Sequence, residues 1–179
     1  MRSSDIALVS VLTALAAVFR YVKNSVTPFQ FVNIPLALAY LSAGLFSPHV
    51  GLTVAALSYL ISDLTLFPGI WTPVNSVLAA VVAFLFGVFY RRFESRIVAF
   101  IVVFLLTFFY DVLSSSLLYV VFGLKPWEAL AWGFIGLFLP IMGGGMIGVG
   151  PLTEFFTSLL ALVLIESIAR RGFGIWRSE

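Results

Sequence analysis

Phe108-Phe109-Tyr110-Asp111-Val112-Leu113-Ser114-Ser115-Ser116-Leu117-Leu118-Tyr119 sets one carboxylate and a run of hydroxyls inside an otherwise apolar stretch. From Ile97 to Leu124, Asp111 is the only charged residue. Near the middle of a bilayer an ionised acid costs on the order of 2.5–3.5 kcal/mol, so acids in spanning segments face a polar cavity or a partner. Asp111 therefore points to the interior of a helix bundle, and the fold expected around it is an all-α polytopic membrane protein.

The composition agrees. Of 179 residues, 61% are hydrophobic and 10% charged, and the mean hydropathy is +1.12, far from soluble globular composition. No Asp, Glu, Lys or Arg lies between Lys23 and Asp63, from Leu64 to Tyr90, or from Ala129 to Thr153. Residues 1–179 therefore read as a single integral membrane domain. The absence of cysteine excludes disulfides, thiolate metal sites and cysteine nucleophiles. The net charge of +2 is explained by basic residues flanking apolar spans, with no nucleic-acid partner needed.

Outward from Asp111, the apolar runs give six spans at about 5–23, 34–46, 50–67, 73–90, 97–122 and 151–169. The second is short against the roughly 20 residues a bilayer requires. Asn24 to Asn33 reads as a loop, and Arg20 at the end of the first span reads as snorkelling outward. Six spans put Arg2, Arg91, Arg92, Arg96, Arg170, Arg171 and Arg177 on one side and Arg20, Lys23 and Lys125 on the other. The bias makes both termini cytoplasmic and the protein a multi-pass component of the cell membrane. Counting Trp127 to Met142 as a seventh span reverses the bias, so that segment reads as an extra external or re-entrant helix between spans five and six.

Gly143-Gly144-Gly145-Met146-Ile147-Gly148 has the letters of a dinucleotide fingerprint without the preceding strand and soluble helix that make it work. No P-loop is present, and the single His49 cannot build a zinc site of the HExxH type. No catalytic residue, metal site or cofactor is expected. The polar residues suit recognition instead. Asp63, Asp111 and Glu154 fall in the middle or outer half of the bundle, with Ser114 and Ser115 one turn beyond Asp111. Trp71, Asn75, Tyr119 and Trp127 stand near the same outer boundary, where aromatic residues anchor to the interface or offer flat surfaces to a ligand. These residues are the candidate substrate site. Ala7, Ser10, Ala14 and Ala17 follow a 3, 4, 3 spacing that puts four small side chains on one helix face, suited to packing within the bundle or to docking a partner. Glu166 and Arg170 form an i, i+4 pair at the cytoplasmic end.

Several stretches resemble the substrate-binding S components of energy-coupling factor (ECF) transporters. The first-span pattern appears as Ser10-xxx-Ala14 and Thr13-xxx-Ala17. The hairpin Ala43-Gly44-Leu45-Phe46-Ser47-Pro48-His49-Val50-Gly51 leads through Leu57-Ser58 to Asp63 and Pro68-Gly69, and Gly150-Pro151-Leu152-Thr153-Glu154-Phe155-Phe156 opens the last span. The resemblance implies capture of a micronutrient, a vitamin or its precursor, in an outer pocket. It also implies association with a transmembrane coupling subunit and two ATP-hydrolysing subunits. Three other classes compete: a structural or assembly protein of the membrane, a stand-alone secondary carrier, and a membrane enzyme using its acids for proton transfer.

Overall fold

The computed structural model describes residues 2–139, 142–143 and 146–172. Among these residues seven helices follow in order: α1 (Ser3–Val26), α2 (Ile34–Leu45), α3 (Pro48–Leu66), α4 (Trp71–Tyr90), α5 (Arg96–Val121), α6 (Pro126–Leu137) and α7 (Pro151–Arg170). Three short strands join them: β1 (Phe29–Gln30), β2 (Met142–Gly143) and β3 (Met146–Gly148). Arg177, Gly144 and Gly145 lie outside the described residues.

Local chemistry sets the helix ends. The side chains of Asn33, Ser47 and Ser95 accept from the backbone N–H groups of Leu36, Val50 and Val98, capping α2, α3 and α5. Proline occupies the first turn of α2, α3, α6 and α7, where its missing N–H is not needed. In α1 the capping position is held by Arg2, whose backbone N–H donates to the Asp5 carboxylate at 2.9 Å.

Among the described residues five helices, α1, α3, α4, α5 and α7, are long and apolar enough to cross a membrane, and α2 is a shorter apolar helix of 12 residues. The chain is a polytopic, all-helical membrane protein apart from its small sheet. Pro35 through Ala43 are all buried, since α1, α3, α4 and α7 surround α2. Small residues permit that crowding. A Cβ on Gly87 of α4 would stand 2.8 Å from the Pro48 Cα and 3.0 Å from the Ala43 Cβ, so only glycine lets α4 approach the α2–α3 corner. Tyr40 and Phe86 meet edge to face at 5.2 Å in the core beside it.

Two connections differ from the sequence expectation. Residues 24–33 are only partly loop, because α1 continues to Val26 and β1 follows. The glycine-rich connection carries β2 and β3. β1 pairs parallel to β3, with Phe29 opposite Ile147 and Gln30 opposite Gly148, and β2 pairs antiparallel to β3. Each strand is too short to show alternation in the sequence, and the β1–β3 pairing joins distant segments. The sheet ties the connection after α1 to the connection before α7. The segment read as an external or re-entrant helix contains α6, which packs on α5.

Candidate functional site

A cavity of about 240 Å³ opens at the end of the bundle away from the N-terminus of α1. Its walls come from six of the helices and from the segments around the sheet. α1 contributes Arg20, α3 contributes Tyr59 and α4 contributes Asn75. Tyr110, Asp111, Ser114, Ser115 and Tyr119 line it from α5, where a spacing of three to four residues places them along one helix face. Thr153 and Glu154 enter from the first turn of α7, Gly136 and Leu137 from α6, and Gln30, Asn33, Val149 and Gly150 from the segments around the sheet.

Arg20 is a correction to the sequence reading. It does not snorkel outward: its guanidinium turns into the bundle, 2.5 Å from the Asp63 carboxylate and 2.5 Å from the Ser62 hydroxyl, with the Tyr59 ring 5.3 Å away. An acid on the neighbouring helix compensates the cost of carrying that charge inward.

A chain of hydrogen bonds links several of the lining residues. The Tyr59 hydroxyl donates to the Asn33 side-chain oxygen at 2.7 Å, the Asn33 N–H donates to the Thr157 hydroxyl at 2.8 Å, and Thr157 donates to the Thr153 carbonyl at 2.5 Å. Thr153 in turn donates to the Gln30 carbonyl. Lys23 donates to the Phe29 carbonyl and to the Gln30 side chain, each at 3.2 Å. α1 and α7 thus hold β1, while α3 and α7 hold Asn33.

Of the residues singled out from sequence, Asp111, Glu154, Asn75, Tyr119 and Ser115 share this cavity. Asp63 is buried and reaches the site through Arg20. Trp71 donates its ring N–H to the Phe67 carbonyl at 2.9 Å, and Trp127 is 79% exposed on α6; neither is among the residues lining the cavity. Glu154 is wholly buried, and neither of its carboxyl oxygens has a hydrogen-bond partner among the described residues. Ala7, Ser10 and Ala14 are exposed and Ala17 is half-buried, while Val9, Thr13 and Ala16 on the other face of α1 turn inward. Glu166 pairs with Arg170 at 3.6 Å and also with Arg96 at 3.0 Å.

Tyr59, Tyr110, Gln30 and Thr153 were not legible as site residues. Tyrosines in apolar runs read as core, and Gln30 sits in a stretch with no periodicity. Arg20 carried the clearest missed signal, a charge near the end of one span that an acid near the end of another can neutralise.

The family model for "ECF-type riboflavin transporter, S component" matches residues 1–164. This chain belongs to that family. Comparison with curated proteins finds no match, and neither does comparison with solved structures. An ECF S component is a transport subunit that binds a small-molecule substrate in a membrane, and it is not an enzyme. The glycine-rich letters and the buried acids of this S component therefore need no catalytic explanation.

Proposed function

We propose that this S component captures riboflavin in the cavity bounded by Asp111, Glu154, Asn75 and Arg20, and delivers it to an ATP-driven coupling complex in the cytoplasmic membrane. The observation that carries the proposal is the convergence of aromatic, amide and carboxyl side chains on one cavity in a chain whose family is named for riboflavin transport. Flat apolar faces with a few placed polar groups are what a ring-bearing ligand requires. The volume lies just below the roughly 300–1,000 Å³ of ordinary ligand pockets, so a flavin would displace the cover formed by the sheet and α6. Trp71 and Trp127 serve the cavity's rim or the membrane interface.

In this reading both termini are cytoplasmic, α2 is the short sixth span shielded by its neighbours, residues 1–179 act as one membrane domain, and the cavity faces outward. The distribution of basic residues supports that orientation. The outward-facing stripe of Ala7, Ser10, Ala14 and Ala17 lets a helix of the transmembrane coupling subunit approach closely, and two ATPase subunits supply the energy through it. Native mass spectrometry of the gently purified chain, from cells supplied with riboflavin, tests the ligand. A bound mass equal to riboflavin is expected, and a different co-purifying compound refutes the assignment.

A further inference from the structure

α6 carries its charge at one end only. Lys125 and Glu128 flank its first turn, beside Trp127, and no Asp, Glu, Lys or Arg follows until Glu154. Its register against two neighbours fixes how far it travels. On α5, a Cβ on Gly133 would stand 2.9 Å from the Val112 carbonyl oxygen, and the Phe134 ring lies 6.0 Å from that of Phe108. Phe108 is midway along α5, roughly 20 Å from the end at which α6 starts. At α7, a Cβ on Gly150 would meet the Leu137 carbonyl oxygen, while the other end of α7 is level with the start of α5, where Glu166 pairs with Arg96 at 3.0 Å. Gly150 is roughly 24 Å from Glu166 along that axis, against roughly 37 Å for the whole of α5. By the two registers α6 ends roughly 13–20 Å short of the tip of α5.

Half of a hydrocarbon core about 30 Å thick is about 15 Å. We propose that α6 is a re-entrant half-helix that enters the leaflet away from the N-terminus of α1, runs beside α5 to near the bilayer midplane, and has the acyl chains of that leaflet as the partner of its outer face. The proposal uses the bundle's place in a bilayer and not the identity of the ligand. One side of α6 is taken: Ala129 and Gly133, one turn apart, are buried on the side packed against α5, and Gly136 and Leu137 line the cavity. The rest is apolar and open, with Leu130, Trp132, Phe134, Ile135 and Phe138 43% to 56% exposed. In water such a surface costs about 25 cal/mol per Å². A helix lying flat at the interface sets a polar face against its apolar one, and α6 has no polar side chain after Glu128. Over the same stretch α5 also exposes Phe109, Leu113 and Leu117. The deep end meets the rule that irregular backbone at membrane depth must be bonded or border a cavity: the N–H groups of Phe138 and Leu139 donate to the Ile135 and Gly136 carbonyls at 3.1 and 3.2 Å, and Gly136 and Leu137 border the cavity. On this side a single helix separates the cavity from the acyl chains.

The chain has no cysteine, so single cysteines carry a nitroxide label with no background to remove. Glu128→Cys, Trp132→Cys, Phe134→Cys and Ile135→Cys mark α6, and Phe109→Cys and Leu117→Cys on α5 serve as rulers, in the full chain reconstituted in phosphatidylcholine vesicles. Collision with oxygen, which concentrates among acyl chains, against collision with a water-soluble nickel chelate reads the depth of each label. The label at Phe134 is expected roughly 9 Å deeper than that at Glu128, with Trp132 between them, and level with the Phe109 label to within one helical turn, about 5 Å. Equal depths along α6, or nickel access at Trp132 and Phe134 equal to that at Glu128, makes α6 a surface helix and overturns the proposal. Exclusion of both reagents from Trp132 and Ile135 reveals a protein partner on that face, a second copy or another subunit, and overturns the acyl-chain assignment. All the labelled side chains of α6 are exposed, and if one variant does not fold the remaining positions supply the gradient. No ligand enters the measurement, so its failure leaves the riboflavin reading standing.

Discussion

Arg20 and Asp63 meet at 2.5 Å between α1 and α3, with side chains 11% and 2% exposed. Removing one member of a buried pair strands the other charge and costs about 3–5 kcal/mol, whereas replacing both by apolar groups is often neutral. Asp63→Ala is therefore expected to lower the thermal midpoint in detergent sharply, and the double change Arg20→Met, Asp63→Leu to recover most of the loss. Equal destabilisation by the single and double changes would show that the pair does not act as a unit.

Thr157 is wholly buried and serves two partners, accepting from the Asn33 N–H at 2.8 Å and donating to the Thr153 carbonyl at 2.5 Å. Thr157→Val keeps the shape and removes both bonds, leaving a buried N–H unsatisfied at about 1–3 kcal/mol. Thr157→Ser retains the hydroxyl and should stay close to the unaltered protein. Thermal denaturation of the two variants side by side checks the difference, and matching midpoints would contradict it.

Gly133 seats α6 on α5. A Cβ there would meet the Ser116 hydroxyl oxygen and stand 2.9 Å from the Val112 carbonyl oxygen, so α6 cannot keep its position with alanine in place. Overpacking of this kind costs about 1–3 kcal/mol. Because Gly136 and Leu137 of the same helix line the cavity, Gly133→Ala should weaken riboflavin binding as well as stability. Unchanged affinity in a fluorescence titration would detach α6 from the site.

Ala14 is exposed on the face of α1 that carries Ala7 and Ser10. Ala14→Trp removes the close approach that a partner helix needs. Loss of the coupling subunit and the ATPases in a pull-down is expected, with riboflavin binding retained; an undiminished pull-down would place the docking surface elsewhere.

The helix ends are largely legible in the sequence because their signals are local. Ser47-Pro48, Ser95 and Gly150-Pro151 each announce a helix start within a few residues. Asp111 is legible for a different reason, since an acid in a long apolar run has few uses other than a polar interior. What escapes the sequence is long-range. The inward turn of Arg20 depends on an acid of α3, and the pairing of β1 with β3 joins segments from opposite ends of the chain through strands of two or three residues. Thr153 and Gln30 become neighbours only through that pairing. α2 shows the intermediate case: its apolar character is plain from Ile34 to Leu45, but its burial on all sides depends on the helices around it.

We place riboflavin in the cavity that Asp111, Asn75 and Ser115 line. A ligand of about 27 non-hydrogen atoms at about −0.3 kcal/mol per atom binds with about −8 kcal/mol, a Kd near 1 μM or tighter. The most direct measurement is a fluorescence-quenching titration of riboflavin with the purified chain and with Ser115→Trp, which places a large ring in the cavity from α5. Saturable one-to-one quenching by the unaltered chain, and its loss in a Ser115→Trp variant that keeps its thermal midpoint, is the predicted result. Equal binding by the two proteins would contradict the assignment of this cavity.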